Sequence, residues 1–245
     1  MADESSKLLK DSLKNLLTSG EYSDFTINCK DKTWRVHKAI VCPRSGYFAR
    51  AVNFGREAKD RMIDLLEDET EIVGLMLEYL YIGDYTVPTT DKTDLVFPHT
   101  CNDSNLHAFV CSHHACATQL RVRDWSCGGR GCIPSPDIFP ANLVHHARLY
   151  ELADKYQVMG LKSLVREKFI LACQSFWNTS KFPIAAEIVF ATTPEEDKGL
   201  REVVVSTISD HMILLKQPEM ESLMVTYNGL AYGLLKIMLE AGGWQ

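Results

Sequence analysis

No stretch of this 245-residue chain approaches the roughly 18 consecutive apolar residues that a membrane-spanning helix requires, so no membrane span is expected. An excess of positive charge is missing as well. Lys and Arg number 26 against 32 Asp and Glu, a net charge of −6. Generic binding to a phosphate backbone needs a basic surface, so nucleic acid is a disfavoured partner. The opening residues Met1 to Ser6 lack the basic-then-apolar order of a signal peptide, and the chain is expected to be intracellular, nuclear or cytoplasmic without a sign to separate the two. Thiols stay reduced there, so its eight cysteines are not expected to form a disulfide framework. There is no Gly-rich phosphate loop leading into a helix, no His-Glu-x-x-His, and no Cys–His pair set where it could act as nucleophile and base. The chain is therefore not expected to be an enzyme. It has no internal repeat. What it does have is 46% hydrophobic residues, enough for one large core or two small ones.

Leu9, Leu13, Leu16 and Leu17 fall at i, i+4, i+7 and i+8, which predicts a short amphipathic helix over 7–17. Phe25, Ile27 and Cys29 alternate with Thr26 and Asn28, and Trp34 to His37 reads as the returning strand of a hairpin. Lys38 to Cys42 predicts one helical turn ended by Pro43, and Ser45 caps a helix carrying Tyr47, Phe48 and Val52. Arg61 to Leu65 is a short β-prone run. Asp68 and Glu71 have capping-box spacing ahead of Ile72, Leu75, Met76, Tyr79 and Leu80, with Gly83 as the stop. A helix starting near Pro140 carries Leu143, Ala147 and Tyr150; Gly160 parts it from another with Leu161, Leu164, Val165, Phe169 and Cys173 inward. Thr193-Pro194-Glu195-Glu196 reads as the start of a helix reaching about His211, and a last helix covers Leu230 to Glu240. Met76, Tyr79, Met159 and Phe169 read as core, and Asp64, Glu67, Asp68 and Glu69 as a solvated face and helix-start acids.

Between Thr89 and about Asp137 the periodicity fails. Five cysteines (Cys101, Cys111, Cys116, Cys127, Cys132) and four histidines (His99, His107, His113, His114) gather there. Cys111-x4-Cys116 and Cys127-x4-Cys132 are two equal pairs, able to meet around one tetrahedral structural zinc, with His113 or His114, His99, Cys101 or His107 as substitute ligands. A metal would order a segment that has no apolar core of its own. The alternatives are a segment without fixed structure bearing incidental thiols, and a redox-sensing loop. As a zinc finger on nucleic acid it is ill suited: Lys92, Arg121, Arg123 and Arg130 face Asp91, Asp94, Asp103, Asp124 and Asp137.

The strings Tyr22-Ser23-Asp24-Phe25, His37-Lys38-Ala39-Ile40-Val41-Cys42, Ser45-Gly46-Tyr47-Phe48, Ile63-Asp64-Leu65, Leu77 to Tyr85, Leu152-Ala153-Asp154-Lys155-Tyr156 and Leu161-Lys162 together resemble a BTB/POZ domain, in the form met in fungal proteins. The resemblance implies an α+β fold, a small sheet covered by helices, split by the insert. The implied division is an N-terminal helix at 1–20, the BTB/POZ domain at 21–88 and 139–175, the Cys/His-rich insert at 89–138, and an all-helical, BACK-like extension at 176–245. It further implies a non-enzymatic protein–protein interaction module that pairs with itself as a homodimer or with another protein. In that reading Asp24 and Lys38 line a charged pocket at the dimer groove, beside His37, and the helix bearing Leu9, Leu13, Leu16 and Leu17 packs across the partner. The residues themselves also allow His37 to be a satisfied core-edge histidine and Lys38 a surface lysine. A role as substrate adaptor of a cullin ubiquitin ligase belongs to the same resemblance, although Pro140 to Arg148 contains no acid where cullin-binding relatives carry a hydrophobic-x-acidic triplet.

Overall fold

Alternating apolar residues build the sheet. Phe25, Ile27 and Cys29 of β1 (Phe25–Cys29) are buried on one face, as are Trp34 and Val36 of β2 (Lys32–Val36). The two strands pair antiparallel, Phe25 opposite Val36 and Cys29 opposite Lys32, so the turn is Lys30-Asp31, with Lys30 at a φ of 52°. A third strand, β3 (Met62–Asp64), adds to β1 in parallel, giving the order β2-β1-β3. The computed structural model describes residues 2–88 and 142–242, together with two short strands at 114–115 and 133–134. None of the described helices is long and apolar enough to cross a membrane.

Helix α1 runs over Ala2–Ser19, beyond the span its leucines predict, and packs on β2 and on a later helix, α5. The turn α2 (Lys38–Val41) is not stopped by Pro43, which sits inside a 3-10 turn at Cys42–Arg44, where a missing N–H costs nothing. Helix α3 (Gly46–Ala51) is capped as expected, with Ser45 Oγ accepting from Phe48 N at 3.2 Å. A further short helix, α4 (Gly55–Asp60), has no counterpart in the sequence reading. Helix α5 (Thr70–Ile82) buries Ile72, Leu75, Met76 and Leu80 and ends at Gly83, whose φ of 73° is the left-handed geometry of a helix stop.

The capping box at Asp68 and Glu71 does not form. The N-cap of α5 is Glu69, and Asp68 has been taken by other partners. Its Oδ1 accepts from Lys155 Nζ at 2.7 Å and its Oδ2 from the Tyr156 hydroxyl at 2.5 Å, with the residue only 8% exposed. Asp68 is thus a buried anchor rather than a solvated acid. Tyr156 lies past the end of α6 (Asn142–Lys155). Its carbonyl accepts from Ser45 Oγ at 2.7 Å, and its ring stacks on Phe48 with centroids 5.5 Å apart. Burial, then the bond to Asp68 and its charge, push the Tyr156 hydroxyl far above its ordinary pKa, so it stays a donor.

Helix α7 (Met159–Phe176) begins before Gly160, so Gly160 is not the break between α6 and α7. The chain reverses at Gln157, at a φ of 55°, and Gly160 serves close approach instead: a Cβ there would overlap the Tyr79 hydroxyl. Leu161, Val165, Phe169 and Cys173 face inward. Of the four Met and aromatic positions read as core, Met76 and Phe169 are fully buried and Tyr79 is half-buried, but Met159 is 64% exposed, lying in the first turn of α7. A second polar seam joins the residues before the insert to those after it. Lys168 Nζ donates to Asp84 Oδ1 and to the Tyr85 carbonyl, both at 2.7 Å, while the Tyr85 hydroxyl donates to His146 Nδ1 at 2.8 Å. Burial, reinforced by the nearby charges of Lys168 and His145, drives the His146 pKa down to about 3, so the ring stays neutral and accepts that bond.

Four helices and a turn follow. Helices α8 (Lys181–Thr192) and α10 (Pro218–Thr226) are additions to the sequence reading, and α11 (Asn228–Gly242) extends the last expected helix at both ends. Helix α9 (Lys198–Asp210) starts four residues later than the Thr193-Pro194 signal predicts. Thr193 instead closes α8, donating to the Val189 carbonyl at 2.5 Å, and Asp197 caps α9 by accepting from Gly199 N at 3.0 Å. Asp197 also accepts from the Tyr150 hydroxyl at 2.9 Å and pairs with Lys162 at 2.6 Å, and Lys162 reaches Asp154 at 2.5 Å as well. This cluster ties α9 to α6 and α7. Burial works to raise the Asp197 pKa, but the bonds from Lys162, Tyr150 and Gly199 outweigh it and hold the carboxyl below its usual value.

Two outcomes test these seams. Asp68→Ala should cost about 2–4 kcal/mol in denaturant unfolding, because it strands a buried tyrosine hydroxyl and an ammonium group. Lys155→Ala, which removes a partner that is 44% exposed, should cost about 1 kcal/mol or less. The Asp197 carboxyl, depressed in the folded state, contributes stability that is complete above the unfolded aspartate pKa of about 4 and is lost as pH falls through the lower folded value. Denaturation midpoints measured down a pH series should show a steeper acid loss for the native chain than for Asp197→Asn, and equal slopes would refute the role given to this cluster.

Candidate partner-binding surface

The predicted groove residues converge on the loop between α1 and β1. Helix α1 ends where Gly20 N donates to the Leu16 carbonyl at 3.0 Å. The Glu21 carbonyl is then gripped by the His37 ring, whose Nε2 lies 2.6 Å away. The other ring nitrogen, Nδ1, lies 2.7 Å from the Tyr81 hydroxyl, which also accepts the His37 backbone N–H at 3.0 Å. The Glu21 carbonyl can only accept, so Nε2 carries a hydrogen and donates it to Glu21. His37 is 8% exposed and fully bonded, a structural node. Burial pushes the Tyr81 pKa up to about 12, the His37 N–H opposes the rise and the Asp24 charge adds to it.

Asp24 and Lys38 do come together, through the backbone of Lys38 rather than its ammonium group. Asp24 Oδ1 accepts from Lys38 N at 2.8 Å and so caps α2 from outside the helix. The Lys38 Nζ lies over the Phe25 ring, 5.5 Å from its centroid. Asp24 N donates to the Val36 carbonyl, and Arg35 Nε to Ser23 Oγ at 3.1 Å. Every residue flanking Tyr22 is therefore tied down. Tyr22 itself is 87% exposed and holds a φ of 59°. An aromatic residue in the left-handed region is strained, and such strain gathers where a surface is presented to a partner. The sequence reading quoted Tyr22 only as part of a matching string; nothing in a one-letter code marks its conformation.

The leucine stripe of α1 divides in two. Leu13, Leu16 and Leu17 are half-buried against the core of their own chain, whereas Leu9 is 61% and its neighbour Leu8 64% exposed. Lys14 fixes the middle of the helix to Glu78 of α5 at 3.3 Å.

The four zinc-ligand candidates Cys111, Cys116, Cys127 and Cys132 lie outside the described residues, as do the substitutes His99, Cys101, His107 and His113. The strands β4 (His114–Ala115) and β5 (Ile133–Pro134) are described and pair antiparallel, Ala115 opposite Ile133. No cluster of three or more metal-ligating side chains occurs among the described residues. The three cysteines read as core thiols are free, Cys29 and Cys173 buried and Cys42 half-buried. Burial raises the thiol pKa of Cys42 and takes that of Cys173 up to about 12, the reverse of what a nucleophile needs. A cleft of about 620 Å³ between α8 and α10 is lined by Glu187, Glu219 and Tyr227 among hydroxyl, amide and apolar groups, with no Cys, His, Lys or Arg on its walls.

Residues 13–99 match the BTB/POZ domain family, and the chain carries that protein-interaction module. The match includes Leu13, Leu16, Leu17, Asp24, His37 and Lys38 and leaves Leu9 just outside. The chain is similar to Kelch-like protein 40a of Danio rerio, 30% identical over 117 residues, which are 47% of this chain and 18% of that protein. Kelch-like protein 40b of the same fish is 33% identical over 89 residues, 36% of this chain and 14% of the relative. Kelch-like protein 40 of Xenopus laevis is 26% identical over 89 residues, again 36% and 14%. The chain thus spans less than a fifth of the length of these curated relatives.

Proposed function

We propose that this chain is a non-enzymatic, intracellular adaptor that pairs with a second copy of itself, or with another protein, across the exposed end of α1 and the Tyr22 loop. The observation that carries this reading is apolar surface left outward on two neighbouring elements: Leu8 and Leu9 on α1 and Tyr22 on the loop that follows it, elements held in place by the half-buried Leu13, Leu16 and Leu17 and by the His37–Tyr81–Glu21 node. Asp24, two residues on from Tyr22, adds a polar group beside it and accepts from the Lys38 backbone.

The Kelch-like relatives favour a second reading within the same class, an adaptor that recruits a cullin ubiquitin ligase. Helix α6 brings no acid before Glu151, which weighs against the hydrophobic-x-acidic mode of contact. Both readings predict a variant effect that differs in its partner. Leu8→Asp with Leu9→Asp should lower the mass seen by light scattering, while the fold persists because both side chains are exposed. Tyr22→Gly should also weaken association, with a melting temperature equal to or above that of the native chain, since glycine relieves the left-handed strain. A native chain that is monomeric at high concentration sinks self-pairing, and a monomer that captures a purified cullin amino-terminal domain promotes the second reading.

The proposal extends to a structural zinc held by Cys111, Cys116, Cys127 and Cys132. Four thiolates are a donor set that suits tetrahedral zinc, and the β4–β5 pairing supports it: Ala115, which precedes Cys116, stands opposite Ile133, which follows Cys132. Elemental analysis of protein purified without added metal should find zinc near one equivalent. Changing any of the four to Ser should release it, whereas Cys29→Ser, Cys42→Ser and Cys173→Ser should not. Metal near zero with freely reactive insert thiols would leave the thiols incidental.

A further inference from the structure

Helix α11 is apolar on two faces. Its inner face, Leu230 and Leu234 with half-buried Ile237, packs into the core. Its outer face exposes Tyr232 by 71%, Leu235 by 59%, Met238 by 46% and Leu239 by 56%. A surface helix of a globular protein ordinarily carries polar residues opposite its buried stripe, and one that is apolar all round is buried on all sides. Tyr232, Leu235 and Leu239 are spaced by three and then four residues, the spacing of a helix-to-helix seam. The helix holds only two charged residues, Lys236 and Glu240, which pair loosely with each other at 3.9 Å one turn apart beside that seam, 60% and 69% exposed.

We propose that the outer face of α11 docks a second copy of itself, antiparallel, with Leu235 of each copy against Leu239 of the other. The charges select this arrangement. Antiparallel pairing about a two-fold axis level with Ile237 brings Lys236 of each copy beside Glu240 of the other, so the loose pair within each helix joins its symmetry mate in a four-charge network of alternating sign. A parallel pair would set lysine against lysine and glutamate against glutamate. The two charges thus favour one orientation and disfavour the other, the usual division of labour between an apolar seam and its flanking charges. This surface belongs to a different helix from the α1 and Tyr22 surface, and either can fail without the other.

Sedimentation equilibrium of the full chain tests it. Leu235→Glu should remove one association step, lowering the average mass relative to the native chain. Lys236→Glu and Glu240→Lys should each weaken that step by about tenfold, because each places like charges in contact twice. An equimolar mixture of these two variants should regain the native mass to within about twofold in affinity. One copy then carries acids at both positions and the other carries lysines at both, so each contact again joins opposite charges. Pairing through α1 is common to every sample and cancels. Equal masses for the native chain and Leu235→Glu, or single charge variants that behave as native, or a mixture that fails to recover, would each overturn the proposal.

Discussion

A buried carboxylate has to be paired, and Asp68 is the one on which the first and second parts of this fold meet. It lies between β3 and α5, while both of its partners, Lys155 and Tyr156, come from the end of α6 and just beyond it, more than eighty residues later. Apolar packing between α5, α6 and α7 brings the two parts together but is non-directional and would tolerate sliding. The carboxylate fixes the register, because a displacement of one turn would leave a charge unpaired in the interior at a cost of several kcal/mol. Around it the junction is doubly latched. Ser45 Oγ donates to the Tyr156 carbonyl while accepting from Phe48 N, and Gly46 N reaches the Gln157 carbonyl. Cap, aromatic stack and carboxylate therefore share one residue, Tyr156, just where the chain turns from α6 into α7.

The same logic recurs at the next joint. Lys162 sits between Asp154 and Asp197, and Tyr150 donates to Asp197, so the N-cap of α9 is shared with side chains from α6 and α7. Gly199 is required there, as a Cβ would overlap the Tyr150 hydroxyl. Arg201 continues the seam by donating from Nε to Thr193 Oγ1 at 2.9 Å while its guanidinium lies over Phe190. Farther on, Trp177 stacks on His211 at 3.8 Å between centroids. These contacts seat α8 and α9 on α6 and α7 through directional bonds as well as burial.

Legibility followed the kind of signal. Apolar periodicity is a property of one element, so β1, α5 and the inner faces of α6 and α7 could be read directly. Helix α8 buries Phe182, Pro183, Ala185, Ala186, Val189 and Phe190 along one face, but Ile184, Ile188 and Ala191 make its other face apolar as well, so the period is blurred in the sequence. Polar signals were misread wherever a distant partner competed for the group. Asp68 has capping-box spacing but is claimed by Tyr156; Thr193 has N-cap chemistry but bonds backwards into α8; Gly160 resembles a breaker but makes room for Tyr79. The candidate surface was legible in part. His37, Asp24 and Lys38 stand in a matching string, yet their coupling through the Lys38 backbone and the left-handed Tyr22 are set by tertiary bonds that no local pattern encodes.

The division of the α1 stripe bears on how the interaction module works. Had all its leucines faced outward, the helix would have needed a partner to fold at all. Leu13, Leu16 and Leu17 instead bury themselves against their own domain, and Lys14 reaches Glu78 beside them. The packing of α1 is thereby satisfied within one chain, while Leu8, Leu9 and Tyr22 stay exposed on it and on the loop that follows. Their burial is worth a few kcal/mol at the usual rate for apolar area, against an association cost of comparable size. A surface so balanced would associate or stay apart according to concentration and to the fit of the partner, which is what the docking role proposed above requires.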